Sequence, residues 1–288
     1  MNNVFIAGCG YIGERIARLS RDSGVPVTCL VRSPERAGKL RSEGFPTVMT
    51  ALDDEAAIPA FAVDGSILYY LVPPPGGGNR DPRARNFIAK LSGAGRPLKV
   101  VYMSATSVYS ESGGGVVTEE SPTVPASAMG RRRLDAEKAF REYGEFNDVP
   151  VVILRVSGIY GPGRLPQMQI SQGLPLLRED QSGPGNRIHA DDLAALCMAA
   201  AQGARDGDVF NVSDGHPTSM THYFNCCADM LNLPRQPQVP LEVARQVMSP
   251  LMFSYVSESR IVDNSRILTA LGFTLRYTCI EDGLAASH

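Results

Sequence analysis

The chain has 288 residues, with 28 basic and 30 acidic side chains interspersed to a net charge of −2, so it carries no positive field of the kind that nucleic acid or an anionic membrane selects. Hydrophobic residues make up 43% and charged residues 20%, the balance of a folded domain, and the longest apolar run, about Leu193 to Ala201, falls far short of the ~20 residues that span a bilayer. This length suffices for one large α/β unit or for a main domain with a smaller one.

The apolar run Val4-Phe5-Ile6-Ala7 breaks on Gly8-x-Gly10-x-x-Gly13 and passes into Ile12, Ile16 and Leu19, an i, i+4, i+7 stripe. That is strand, tight turn and helix, the context in which GxGxxG implies dinucleotide binding. One glycine allows the turn, one lets a pyrophosphate approach the backbone, and one seats the helix on the strand. The phosphate then faces the free N–H groups and positive dipole end of the helix. A second strand, Val25 to Val31, ends on Arg32, and Ser33-Pro34-Glu35 opens a helix with Ser as N-cap and Pro at its first position. An NAD-preferring site has Asp or Glu near this strand end to hold the ribose hydroxyls, whereas Arg accommodates a 2′-phosphate. Val31-Arg32-Ser33 contains no acid. The expected cofactor is therefore NADP(H) in preference to NAD(H), the alternative being that Arg32 is a plain surface arginine.

Thr47 to Thr50 reads as a third strand, with Asp53 capping a weak helix through Phe61. Ser66 to Val72 is a fourth strand, apolar throughout and so buried on both faces. It runs into Pro73-Pro74-Pro75-Gly76-Gly77-Gly78, a loop that cannot be helical. Asp81-Pro82 opens a helix bearing Phe87, Ile88 and Leu91, and Leu98 to Met103 is a fifth strand. A long helix covers about Ala128 to Tyr143, and Pro150 to Val156 is a sixth strand. Strands alternating with helices in units of roughly 25–30 residues imply βαβ crossovers and a doubly wound parallel α/β sheet of the Rossmann type. From Gly161 the pattern changes to Gly- and Pro-rich connections, with helices at Ala190–Ala201 and about Met220–Leu231. We therefore expect a dinucleotide-binding domain over 1–160 and a small substrate-binding region over 161–288, with a segment near 186–213 returning to the sheet.

Six cysteines, at 9, 29, 197, 226, 227 and 279, form no CxxC and no disulfide-like framework, which suits a reducing compartment. With a core strand beginning almost at Met1 and no leader pattern, the expected location is cytoplasmic. His222 and Cys226 stand at i, i+4, with His216 and Cys227 nearby. Met220, Phe224, Cys227 and Leu231 form the apolar stripe of that helix, which assigns Cys227 to the core. One His and one Cys remain on another face, too few for a metal site, and no metal is expected.

Several landmarks carry a family likeness across nearly the whole chain: Ala7 to Gly13, Ser104-Ala105-Thr106-Ser107-Val108-Tyr109, Thr118-Glu119-Glu120-Ser121-Pro122, Arg155 to Gly163, Ile188 to Leu193, and Phe210 to Gly215. The sequence resembles the extended and atypical short-chain dehydrogenase/reductases, and within them a YeeZ-like branch of nucleotide-sugar-epimerase relatives. The resemblance implies cofactor contacts at Gly8, Gly10, Tyr11, Ile12, Gly13, Arg32, Ser33, Leu71, Val72, Pro73, Ser104, Arg133, Val156 and Ile159. It also implies a small-molecule substrate, and a monomer or homodimer without nucleic-acid or membrane partners.

Family chemistry rests on a Ser that orients substrate, a Tyr phenoxide as general base, and a Lys that lowers the Tyr pKa and holds the nicotinamide ribose. Tyr and Lys are spaced YxxxK because i and i+4 share a helix face. Here Glu120, Pro122, Pro125, Ser127, Gly130 and Glu137 match the surrounding family text, but the Ser, Tyr and Lys positions hold Ala105, Met129 and Arg133. Met transfers no proton and Arg stays charged. Thr106, Tyr109 and Arg133 are the candidates left for chemistry; Arg133 is either a ribose or phosphate contact or part of a solvated Arg131-Arg132-Arg133 face. Tyr109 and Tyr160 fit packing or substrate contact better than a base. His189 fits a structural helix entry with an Asp as N-cap. The expected function is an NADP(H)-binding oxidoreductase or epimerase relative with a degenerate site, which leans towards an enzyme. The alternatives are a non-catalytic dinucleotide-binding or sensor protein and, third, an ordinary nucleotide-sugar epimerase or dehydratase.

Overall fold

Side chains alternate across a strand, so a strand covered on both faces contributes to two cores at once. In β1 (Val4–Ala7), Val4 and Ile6 enter one hydrophobic cluster while Phe5 and Ala7 enter another. The computed structural model describes residues 3–110, 113–249, 252–253 and 259–287. Around β1 are β2 (Val27–Val31), β3 (Thr47–Met49), β4 (Ile67–Tyr70), β5 (Lys99–Ala105), β7 (Val151–Val156) and β12 (Val209–Val212), in a seven-stranded sheet of order β12-β7-β5-β4-β1-β2-β3. Every pairing in it is parallel. The protein is thus a mixed α/β fold of the Rossmann type.

Helices α1 (Tyr11–Asp22), α2 (Pro34–Ser42) and α6 (Ala190–Gly203) cover one face; α3 (Pro82–Leu91) and α4 (Ala128–Asn147) cover the other. The chain leaves β1 for β2 and β3 on one side, then returns to lay β4 on the other. Strand order therefore reverses at β1, where doubly wound sheets open a crevice beyond their C-terminal strand ends.

Short strands add four two-stranded pairs: β6 (Gly113–Val117) with β15 (Ser259–Val262), β8 (Gly158–Tyr160) with β11 (Arg187–His189), β9 (Leu176–Leu177) with β14 (Gln238–Val239), and β10 (Pro184–Gly185) with β13 (Thr218–Ser219). Among the described residues, the C-terminal region also carries helices α5 (Gln167–Ser171), α7 (Met220–Met230), α8 (Leu241–Val247), α9 (Ser265–Leu271) and α10 (Ile280–Ala285). It has its own cluster, in which Tyr160, Ile170, Leu176, Tyr223, Phe224, Cys227, Ile280 and Leu284 are buried.

One expected element is absent: the stretch from Asp53 to Phe61 is irregular. Pro59 lacks the N–H that a helix interior needs and biases Ile58 away from the helical region. Phe61 instead stacks on Phe5 and Phe87, with ring centroids 5.2 and 5.3 Å apart. The pairing of β6 was also not legible, because a Gly-Gly-Gly start has no strand preference and its partner lies far along the chain. Among the described residues, no helix is long and apolar enough to cross a membrane.

Candidate functional site

The three glycines of the first turn differ in what surrounds them. Gly8 has φ +86°, and a Cβ there would lie 2.9 Å from the Val72 backbone nitrogen. A Cβ on Gly13 would lie 3.1 Å from both the Gly8 carbonyl and the Ile6 side chain, so this glycine sets how closely α1 approaches β1. At Gly10 the nearest atoms stand 3.9 Å away. Nothing in the protein itself forbids a side chain at Gly10; its absence keeps open the space before α1. That helix starts at Gly10 without a side-chain cap, leaving its first N–H groups for an anion. Glu14, in the first turn, would oppose a phosphate, yet it is held by Arg36 at 2.7 Å, Lys39 at 2.8 Å and Arg18 at 3.3 Å. Burial pushes its carboxyl up, but Lys39, Arg36 and Arg18 outweigh that and hold it below the ordinary carboxylate range.

A cleft of about 480 Å³ runs from this turn across the end of β2 to the loops after β3 and β4. It gathers Gly8, Gly10, Arg32, Ser33, Val72 and Pro73 from the expected set and adds Arg36, Leu52, Asp53 and Arg83. The Ser33 hydroxyl accepts from the Arg36 N–H at 3.3 Å and caps α2, whose positive end thereby faces the cleft. Asp53 is the one carboxylate lining it among the described residues, and Arg83 engages it at 2.7 Å. Arg83 also donates to the Pro73 carbonyl at 3.3 Å, joining the loops after β3 and β4. Arg36 was findable from the sequence, one helical turn beyond Arg32; the Asp53–Arg83 pair spans 30 positions and left no local signal.

The remaining expected contacts are more dispersed. The Tyr11 hydroxyl donates to the Pro162 carbonyl at 3.0 Å, and its ring lies beneath Arg15 and Arg164. Ile12 and Val156 are buried in the sheet core, with Leu71 and Ile159 packed at its margin. On β5, Ser104 shares the face of Val100 and Tyr102, which looks towards α4, and its hydroxyl donates to Glu137 at 2.6 Å. The hydroxyl is buried and its bond to Glu137 occupies the proton it would otherwise offer.

At the family's catalytic positions, Ser127 accepts from the Gly130 N–H at 3.1 Å and starts α4. A Cβ at Gly130 would strike the Ser107 carbonyl, so α4 is locked in register against the turn Thr106–Val108. Met129 is thereby one turn before Arg133, and half-exposed. The Arg133 guanidinium donates to the Met103 carbonyl at 2.9 Å, and its Nε is buried without a partner. Thr106, half-buried, presents its carbonyl to Arg260 at 2.9 Å.

Tyr109 is held in a buried network. Its hydroxyl donates to Asn211 Oδ1 at 2.5 Å and accepts from Arg155 at 3.2 Å, and burial pushes its pKa up. Tyr160 is likewise buried, its hydroxyl 3.4 Å from the Cys279 carbonyl. His189 proves to be the N-cap of α6 itself, its Nδ1 accepting from the Asp191 N–H at 3.2 Å. No Asp takes the expected N-cap role: Asp191 pairs with Arg15 at 2.7 Å, and Asp192 accepts from the backbone of Arg276 and Tyr277 and docks the C-terminal segment.

Comparison with known proteins agrees with this fold. The family model for the NAD dependent epimerase/dehydratase family matches residues 4–213. Protein YeeZ of Escherichia coli K12 is 24% identical over 289 residues, covering 96% of this chain and 97% of YeeZ. A functionally unknown conserved protein from Silicibacter pomeroyi DSS has a solved structure with a TM-score of 0.82 at 28% identity, covering 99% of this chain and 98% of that one. MoeE5, solved in complex with UDP-glucose and NAD, gives a TM-score of 0.76 at 22% identity, covering 99% and 97%.

Proposed function

Because the chain belongs to the NAD dependent epimerase/dehydratase family, we propose that it binds NADP(H) and is an oxidoreductase or epimerase relative working without the Ser/Tyr/Lys set. The observation that carries the cofactor preference is the rim of the cleft, where Arg32, Ser33 and Arg36 stand together and the lone carboxylate, Asp53, is tied to Arg83. The Arg32 guanidinium and a helix N-terminus suit a 2′-phosphate, with Arg36 beside them shared with Glu14. Arg32 and Ser33 at the end of β2 would hold the adenosine half, and the N–H groups at the start of α1 the pyrophosphate.

NADPH is expected to bind more tightly than NADH. Arg32→Ala removes a charge-assisted bond worth ~1.5–3 kcal/mol, so it should weaken NADPH roughly tenfold or more and leave NADH nearly unchanged. Calorimetric titration checks this, and equal affinities of the unmutated protein for the two cofactors would overturn it.

Met129 and Ala105 carry no group that transfers a proton, so secondary alcohols and nucleotide sugars should turn over far below the ~1–10³ s⁻¹ usual for enzymes. Met129→Ala should leave any residual rate within a few-fold, measured as NADPH formation or consumption across a substrate panel. Fast turnover that collapses in Met129→Ala and shows a basic pH limb would assign the base wrongly. The same substitutions favour a second reading, in which the dinucleotide is held without turnover. Zero turnover with tight NADPH binding selects it.

A further inference from the structure

Away from the cleft, the C-terminal region holds a group of side chains with mixed nitrogen, sulfur and oxygen donors. His222 and Cys226 share one face of α7. The last helix, α10, brings Glu281 against them: His222 Nε2 is 3.2 Å from Glu281 Oε1 and 3.4 Å from Cys226 Sγ. Donor atoms of all three lie within 4.8 Å of one another. On the far side of the ring, Nδ1 is 3.3 Å from Glu179. The sequence leaves His222 and Cys226 one ligand short, and the fold supplies it from 59 residues away.

A neutral imidazole has a single N–H and donates to only one of two flanking carboxylates. An ion at Nε2 removes the conflict, since Glu179 then takes the Nδ1–H in the carboxylate–histidine–metal arrangement. The two spacings from Nε2 are also close to those around a tetrahedral ion. Bonds of ~2.0–2.1 Å to nitrogen and oxygen and ~2.3 Å to sulfur place nitrogen about 3.3 Å from oxygen and about 3.6 Å from sulfur. Charge agrees: two carboxylates, Glu281 and Glu179, stand against His222 at 3.2 and 3.3 Å, while the nearby Asp229 is paired with Arg235. A thiolate and a carboxylate neutralise a dication, the thiol proton passing to solvent, and sulfur disfavours calcium and magnesium.

The geometry points to a divalent transition-metal site of the zinc class, with His222 Nε2, Cys226 Sγ and a Glu281 oxygen as ligands and Glu179 orienting the histidine. The fourth position is open to water. His222 and Glu281 are 40% and 59% exposed, so an ion reaches the site from solvent. It ties α10 to α7, and shares no residue with the dinucleotide cleft.

The test uses the full chain, stripped with a chelator and titrated with Co²⁺ and then Zn²⁺. One equivalent of Co²⁺ should give a thiolate-to-cobalt charge-transfer band that Zn²⁺ abolishes. Cys226→Ser should lose the band, and His222→Ala should weaken Zn²⁺ by roughly a hundredfold or more. Glu179→Gln should weaken it about tenfold. Cys279→Ser, whose thiol lies beside Glu281, should keep the band. Zn²⁺ should raise the Tm of the unmutated protein and not of Cys226→Ser or His222→Ala at matched ellipticity. A band that survives in Cys226→Ser, or an unmutated chain that retains no Zn²⁺ through gel filtration at micromolar metal, overturns the assignment.

Discussion

Gly10→Val is expected to weaken NADPH and NADH alike by a hundredfold or more while the protein stays folded. The two halves of that result have separate causes. A Cβ at position 10 meets no protein atom closer than 3.9 Å, so the native packing tolerates it. The same carbon, with its methyl groups, fills the approach to the uncapped N–H groups of α1, where the pyrophosphate would lie. Loss of two charge-assisted hydrogen bonds at ~1.5–3 kcal/mol each amounts to ~3–6 kcal/mol, more than a hundredfold in affinity. The stability change should be about 1 kcal/mol, the effect of a poor N-cap residue. Gly8→Val makes the contrast: φ +86° and a 2.9 Å approach to Val72 should damage folding as well as binding. Calorimetric titration with far-ultraviolet circular dichroism separates the two. Cofactor affinity that survives Gly10→Val within a few-fold would place the dinucleotide elsewhere.

Glu137→Ala should cost about 3–5 kcal/mol of stability, the largest effect expected of a single substitution outside the glycine turn. Glu137 has no exposed surface. It receives Arg155 on both oxygens, at 3.1 and 3.0 Å, and Ser104 at 2.6 Å. Arg155 continues to the Tyr109 hydroxyl, and Tyr109 to Asn211, so the network joins α4, β5, β7 and β12. Removing the carboxylate leaves a buried guanidinium without its partner, which is far more destabilising than removing both charges. Glu137→Leu combined with Arg155→Met should therefore recover more than half of the loss. Urea unfolding midpoints at constant slope provide the measurement. A loss below 1 kcal/mol in Glu137→Ala would mean that solvent reaches Arg155, and no recovery in the double variant would mean that the loss comes from the other contacts of Glu137 and not from an unpaired guanidinium.

The network also shows where sequence reading stops. Glu137 is legible as the acid that matches the family text, and Ser104 as a residue beside the expected Ser position, but their mutual bond spans 33 residues. The position of Ser104 at the strand end is local information, whereas the partner of its hydroxyl, Glu137, comes from another element. A shift of one position on a strand exchanges faces. The expected helix from Asp53 failed for a related reason: its local cap signal was sound, but Pro59 and the pull of the Phe5–Phe61–Phe87 stack decided otherwise.

The sequence by itself determined the first strand and its glycine turn, the alternation that makes a parallel sheet, the acid-free strand end at Arg32, and the identities of Ala105, Met129 and Arg133, on which the proposed loss of the Ser/Tyr/Lys set rests. These follow from periodicity, turn chemistry and residue identity within a few positions, and such interactions are the same in any fold that contains them. Only the tertiary structure decided that Asp53 is tied to Arg83, that Ser104 faces Glu137, that His189 rather than an Asp caps α6, and that Glu281 meets His222 and Cys226. The long-range pairs among them are 30 to 59 residues apart. Their geometry is set by how helices pack on a twisted sheet, which no local pattern encodes.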